Sequence, residues 1–238
     1  MCIRDRLSNV LIDSRMLSDQ VAEHLFRELV SGRLRGGQRI NEAELARTLG
    51  ISRNPIREAI RKLEERGLLV SSPRRGTFVR SFTKQDIEDV FSFRTMVEDF
   101  AVRQALTRIT PADVEGLRKM VDGMVEAANA GKEMELVQKD IGFHQRICEL
   151  SGNTQTLRAF NNLHAEVQIF ITLVEHRFES LEAAAVDHYP VVDAVASGDP
   201  DRAAKALRDH IQDSWRRIAA AYSCLLYTSD AADDSLRV

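Results

Sequence analysis

Gly50-Ile51-Ser52-Arg53-Asn54-Pro55-Ile56-Arg57-Glu58-Ala59-Ile60-Arg61-Lys62-Leu63 reads as one amphipathic helix whose two faces differ in kind. Ser52 stands where an N-cap belongs, and Arg53, Arg57 and Arg61 recur every fourth residue, so three guanidinium groups share a stripe. Ile56, Ile60 and Leu63 form an adjacent apolar stripe that can pack on Leu45, Ala46 and Leu49 of a preceding short helix, which turns the arginines outward. After Gly67, Leu68-Leu69-Val70 and Thr77-Phe78-Val79 read as two short strands around Ser71-Ser72-Pro73-Arg74-Arg75-Gly76, a basic turn. From Ile40 to Val79 the pattern is therefore helix, tight turn, helix and β-wing.

Charge says what such a unit could meet. Between Arg33 and Arg80 there are twelve basic residues against five acidic ones (Glu42, Glu44, Glu58, Glu64, Glu65), a balance of +7, which leaves −10 for the rest of a chain whose net charge is −3. Arginines on a helix are often no more than a solvated face, but segregation of this kind favours a polyanionic partner. An outward arginine can read the guanine O6/N7 edge bidentately, worth about 1–3 kcal/mol of discrimination per good pair. Serine and asparagine at a helix start suit phosphate and base contacts. Double-stranded DNA is the expected partner, with Arg74 in the wing turn expected to touch phosphate.

The segments Arg39-Ile40-Asn41-Glu42-Ala43-Glu44-Leu45-Ala46, Gly50 to Ile60, Leu63-Glu64-Glu65-Arg66-Gly67-Leu68 and Arg75-Gly76-Thr77-Phe78-Val79 resemble the winged-helix domain of GntR-type transcriptional regulators. The resemblance implies Ser52, Arg53, Asn54 and Arg57 as base and phosphate contacts, with Gly76 at the wing tip. One departure is Ala43, which stands where some members carry a DNA-touching arginine.

A length of 238 residues with 44% hydrophobic content allows one large or two modest cores. No apolar run approaches a membrane span and the start lacks a continuous signal-like core, so a soluble, cytoplasmic protein without membrane contact is expected. Cys2, Cys148 and Cys224 have no paired spacing and make neither a disulfide framework nor a zinc ribbon. Met1 to Arg6 and Cys224 to Asp233 extend no neighbouring pattern and resemble translated adapter sequence or disordered tails. The expected layout is a tail over 1–13, a winged helix-turn-helix over 14–81, an all-helical unit over 82–222 and a tail over 223–238. Within the winged unit, Leu17 to Arg33 is the first helix, with Val21, Leu25 and Leu29 on one side and His24 beside them as a packing residue.

Beyond the wing the chain is helical throughout, so the fold class is mostly α, with an antiparallel bundle following a small β-wing. Thr83 and Asp86 have capping-box spacing, and breaks at Thr110-Pro111, Gly131, Ser151-Gly152-Asn153 and Ser197-Gly198-Asp199-Pro200 predict helices at about 84–107, 111–130, 133–151, 154–177, 180–197 and 200–222. Asp140 and His144 lie one turn apart on a face that carries Val137, Ile141 and Ile147. His188 aligns with Leu181, Ala184, Ala185 and Val192, and His210 with Ala203, Ala206, Leu207 and Ile211. Buried without partners such groups would cost several kcal/mol, so they should meet one another or an ion. A carboxylate and three imidazoles suit a divalent metal, most simply Zn²⁺ with nickel or manganese as alternatives, although separate satisfied core histidines would also fit the periodicity. His164 and His176 have no carboxylate at helical spacing and are read as packing or surface residues.

Phe93-Arg94-Thr95-Met96-Val97-Glu98, Asp140-Ile141-Gly142-Phe143-His144, Gly152-Asn153, Asp187-His188 and Gly198-Asp199 through Asp209-His210-Ile211 are similar to the FCD effector domain of FadR-type GntR regulators. The resemblance implies that Asp140, His144, His188 and His210 bind a metal facing a small-molecule cavity. It also suggests that Arg94 clamps an effector carboxylate, against the alternative of an i, i+4 salt bridge to Glu98. Asn153 could face the cavity or cap the next helix. Tyr189-Pro190 is a departure that should kink a ligand-bearing helix. The expected function is a ligand-responsive repressor, not an enzyme, acting as a C2 homodimer on pseudopalindromic operator DNA and answering to an organic acid. The rivals are a metal-dependent hydrolase using the same Asp/His shell and a DNA-binding dimer whose bundle senses nothing.

Overall fold

The computed structural model describes the backbone over residues 4–175 and 180–234, with side chains over 17–171 and 180–220; His176 lies outside the described residues. The chain divides into two compact units between Phe82 and Thr83.

The first unit runs α1 (Arg4–Val30), β1 (Arg39–Ile40), α2 (Glu42–Leu49), α3 (Arg53–Glu65), β2 (Leu69–Ser72) and β3 (Gly76–Val79). Asn41 starts α2: its Oδ1 accepts from the Ala43 and Glu44 amides at 3.1 and 3.2 Å. Gly50 ends the helix at φ 66°, a left-handed turn that sets the angle to α3. Ser52 occupies the N-cap position of α3 with extended backbone, yet its hydroxyl makes no capping bond, contrary to expectation. Ile56, Ala59 and Leu63 are fully buried. α3 contacts α2 as expected, but it lies more extensively on α1, which helical spacing did not indicate. Val21, Leu25 and Leu29 of α1 are buried, whereas Leu45, Ala46 and Leu49 of α2 are only half-buried. His24 is half-buried beside that stripe.

The wing is an antiparallel sheet of order β1-β3-β2, with Leu69 opposite Val79 and Ser72 opposite Gly76. Its third strand, Arg39–Ile40 against Phe78 and Thr77, is too short to show any alternation in the sequence. The Arg75 amide closes the turn onto the Ser72 carbonyl at 3.1 Å, with Pro73 second and Arg74 third at φ 64°. That third position ordinarily takes glycine or asparagine, and an L side chain held there costs about 1 kcal/mol. The tip is thus Pro73-Arg74-Arg75. Gly76 is not the tip but the first residue of β3, at φ 107°, where a Cβ would come within 3.0 Å of Arg39 Nε.

The second unit is entirely helical among its described residues: α4 (Lys84–Ala105), α5 (Pro111–Asn129), α6 (Glu133–Leu150), α7 (Thr154–Glu175), α8 (Leu181–Val186), α9 (Tyr189–Ala196) and α10 (Pro200–Asp234). Thr83 with Asp86 and Thr110 with Asp113 form reciprocal capping boxes on α4 and α5. Pro190 does not kink a continuous helix. It sits in the first turn of α9, where its missing N–H is not needed, so the expected 180–197 helix is two, with His188 at the joint. Helical backbone enters both terminal stretches read as tails, through Arg4 in α1 and to Asp234 in α10. No helix among the described residues is long and apolar enough to cross a membrane.

Replacing Arg74 by glycine removes a strain of about 1 kcal/mol while freeing the unfolded chain by about 0.4–1 kcal/mol, a small net stabilisation of up to about 0.6 kcal/mol. Urea titration should show this gain in the isolated wing-bearing protein, and a loss of stability would place the turn in another geometry.

Candidate metal centre and nucleic-acid interface

Asp140 and His144 project from one face of α6, His188 from the α8–α9 joint and His210 from α10, and one ligand atom from each lies within 4.8 Å of all the others. His144 and His188 are 0% and 2% exposed, and Asp140 and His210 are half-buried. The rings pack closely, with centroids of His144 and His210 5.2 Å apart and those of His188 and His210 4.2 Å apart. The four residues expected to converge do so.

Partners outside the cluster fix which nitrogen faces inward. Glu98, fully buried on α4, accepts from His144 Nδ1 at 2.6 Å through Oε2 and from Arg94 Nε at 2.6 Å through Oε1. Burial pushes the Glu98 carboxyl up, but His144 and Arg94 outweigh it and hold the group below its ordinary range. An ionised carboxylate only accepts, so His144 carries its proton on Nδ1 and presents the Nε2 lone pair to the cluster. His188 Nδ1 faces the carbonyls of Ala184 and Ala185 at 3.1 and 3.2 Å, so it too donates from Nδ1 and turns Nε2 inward. That Nε2 stands 2.9 Å from Asp140 Oδ1 without hydrogen-bond geometry.

Four inward atoms are consequently buried with no hydrogen-bond partner: Asp140 Oδ2, His144 Nε2, His188 Nε2 and His210 Nδ1. Each unsatisfied buried group costs about 1–3 kcal/mol; the Asp140, His144 and His188 atoms are acceptors, and His210 Nδ1 is one when its proton sits on Nε2, the tautomer in which a cation satisfies all four together. Electrostatics agree. Burial raises the Asp140 carboxyl, but His188, His144 and Arg94 more than reverse this and hold it well below the usual carboxylate range. His144 is lowered by burial and then by Arg94, and His210 is lowered strongly by burial and then by His188 and His144. An ionised Asp140 beside two imidazoles, His144 and His210, that resist protonation is the state a divalent metal requires.

Next to the cluster, a cavity of about 40 Å³ is lined by Asp140, His188 and His210, by apolar residues including Val137 and Ile171, and by Ser214 and Arg217. A larger hollow of about 440 Å³ lies between α4 and α10 against Phe91, Ile211 and Trp215. None of the four cluster residues lines it, so the chemistry belongs to the smaller space. Arg94 does not line that smaller cavity either. It is 2% exposed and engaged by Glu98, which favours the salt-bridge alternative over a carboxylate clamp. Asn153 Oδ1 accepts from the Gln155 and Thr156 amides at 2.9 and 3.2 Å, so its side chain caps α7. His164 is half-buried with Nδ1 against the Asn161 carbonyl.

Glu98, Ser214 and Arg217 are absent from the expected site, although the sequence held a signal for each. Glu98 follows Arg94 by four, and Ser214 and Arg217 follow His210 by four and seven, along one face of α10.

On the first unit, Ser52, Arg53, Asn54, Arg57, Arg61 and Arg74 are exposed, as a nucleic-acid face needs. Arg57 Nε donates to Glu42 Oε2 at 2.8 Å, an ion pair between α3 and α2 that helical spacing alone does not reveal.

Residues 17–79 match the family described as bacterial regulatory proteins, gntR family, and residues 89–213 match the FCD domain. The chain is 33% identical, over 82% of its length and 85% of the relative's, to a "Probable D-xylose utilization operon transcriptional repressor" of Paenarthrobacter nicotinovorans. It is 30% identical, over 79% of its length and 88% of the relative's, to the Nta operon transcriptional regulator of Aminobacter aminovorans. The fold resembles the solved structure of E. coli McbR/YncC at a TM-score of 0.73 and 22% identity, covering 88% of this chain and 98% of that one.

Removing one partner from a fully buried ion pair strands the other charge. Arg94→Met should therefore destabilise the helical unit by about 3–5 kcal/mol in denaturant titration, and a change under 1 kcal/mol would mean Glu98 is held by His144 alone.

Proposed function

The chain belongs to the GntR family of bacterial regulatory proteins and carries an FCD domain, and on that premise we propose that it is a DNA-binding repressor governed by a divalent metal and a small organic acid. The observation that carries the sensing half is the convergence of Asp140, His144, His188 and His210, each with a buried side-chain atom that lacks a hydrogen-bond partner. Zinc suits this nitrogen-rich set best, with nickel and manganese as alternatives. Bound there, a metal would supply an electrophilic point for ligand oxygens. Asp140 and the three imidazoles would hold it, while Glu98 and the Ala184 and Ala185 carbonyls keep His144 and His188 in the required tautomers.

On DNA, Arg53, Asn54 and Arg57 of α3 are proposed to face the major groove, with Ser52 at phosphate and Arg74 on the wing against the backbone. Arg57 must then share or leave Glu42, so the Glu42 carboxylate orients it before binding and competes with the duplex. A homodimer would place two such units on a pseudopalindrome. An organic acid that prefers one arrangement of that dimer shifts operator affinity by its differential binding, about 1–3 kcal/mol in couplings of this type.

Elemental analysis after purification should find one metal per chain, lost in His188→Ala and bound about 10- to 100-fold more weakly in Glu98→Gln. Unchanged metal content in both variants would remove the centre. In operator titrations, Arg57→Ala should abolish preference for specific over random duplex, whereas Arg74→Ala should weaken both alike and reduce the salt slope by about 1. Equal losses on both duplexes for Arg57→Ala would take that residue out of base recognition.

A further inference from the structure

Arg94 is held by Glu98 away from the small cavity, whereas Arg217 lines it, and the geometry points to Arg217: we propose that Arg217 anchors the effector's carboxylate by exchanging its ion pair with Asp187 for one with the ligand. This rests on the metal-and-acid reading above and names the residue that would carry its specificity.

Arg217 lines the same small cavity as Asp140, His188 and His210, two turns beyond His210 on α10. Its Nη2 donates to Asp187 Oδ2 at 2.7 Å, while its Nε is buried with no hydrogen-bond partner. Nε and Nη2 form one edge of the guanidinium, the edge that takes a carboxylate bidentately. Asp187 uses half of that edge, and the buried Nε donor makes no hydrogen bond. Nε is closed off in this arrangement, so a ligand carboxylate takes both donors once the Arg217 side chain, itself 38% exposed, turns into the cavity, and Asp187, which is 41% exposed, turns to solvent when released. Ser214, one turn before Arg217 on the cavity wall, offers a hydroxyl to a second ligand oxygen.

The space limits what can enter. A water requires about 10–15 Å³ of such volume, so a cavity of about 40 Å³ holds roughly three. The ligand class is a short acid of roughly two to four carbons, with a hydroxyl or keto oxygen beside the carboxylate able to reach the metal. Asp187 directly precedes His188 and closes α8 as its C-cap, so the exchange acts on the joint that carries a metal ligand. Acid and metal would thereby be coupled through two adjacent residues.

The test uses the zinc-loaded full-length chain, with glycolate, L-lactate and pyruvate as probes and lactamide as the uncharged control, read by calorimetric titration alongside zinc content. Wild type should bind at least one acid and not lactamide. Arg217→Met should lose about tenfold or more of that affinity at unchanged zinc content. Arg217→Lys, which keeps the charge without the two-donor edge, should also bind more weakly and serves if the methionine variant does not fold. Asp187→Asn, lacking the competing charge, should bind the acid more tightly. The proposal is overturned if none of the three acids binds zinc-loaded wild type, or if a folded Arg217 variant binds as wild type does. Unaltered affinity in Asp187→Asn would overturn the exchange. Absence of zinc binding in wild type is a different failure, because it removes the metal reading itself before any acid is added.

Discussion

Buried acceptors need protons or a cation, and the helical unit is arranged around that requirement. Three places, α6, the α8–α9 joint and α10, bring a carboxylate and three imidazoles together below the surface, and neighbours hold the protons of His144 and His188 on Nδ1, away from the cluster. The Arg94–Glu98–His144 chain is the clearest instance. Arg94 helps hold Glu98 ionised, Glu98 takes the Nδ1 proton of His144, and the lone pair left on Nε2 faces inward. Each link depends on the one before it and all lie beneath the surface, where the effective dielectric is low and pairing is strong. A cluster assembled by chance from satisfied core histidines would show the opposite, with inward nitrogens already bonded.

The winged unit meets a different constraint, because its functional groups must stay in water. Its core is made by α1 and α3, so α2 can be short, half-buried and held by the Asn41 cap and Gly50. The exposed Arg57 is not left loose. Its pairing with Glu42 restricts the side chain without burying it, and a screened surface pair of this kind contributes little to stability. Orientation is what it can supply, at the expense of a competitor that salt or a phosphate displaces easily. The left-handed Arg74 follows the same logic, since a positive side chain stands where a glycine would sit more comfortably.

What could be read from the sequence follows from how local each signal is. The helices of the second unit other than 180–197, the Thr83–Asp86 capping box and the two expected wing strands come from spacings of two to four residues, and the structure reproduces them. The four cluster residues were also legible, because an ionisable group on an apolar stripe stands out at helical period. Three features escaped for the same reason in reverse. The strand Arg39–Ile40 is defined only by its partner across β3, the Arg57–Glu42 pair joins two helices, and the preference of α3 for α1 is decided by tertiary packing. Arg94 shows the ambiguity at its sharpest. Spacing permitted both a clamp and a salt bridge, and burial with Glu98 selects the salt bridge. Gly76 was misplaced because its motif marks the turn, whereas the strand register makes it the first paired residue after the turn.

Proline at position 190 links the break in the helix to the chemistry at its end. A continuous helix through 180–197 would commit the His188 carbonyl and side chain to regular helical positions. With Pro190 in the first turn of a new helix, the preceding peptides are released, and His188 reaches inward while its Nδ1 returns to the last carbonyls of α8. Asp187 is left at the same corner, facing α10 through Arg217. A joint between two short helices has few interior hydrogen bonds to break, so it is where a small change in ligation can alter backbone direction at least cost. The residue that looks like a defect in the helix is therefore what allows one segment to carry both the inward His188 and the Asp187 ion pair beside it.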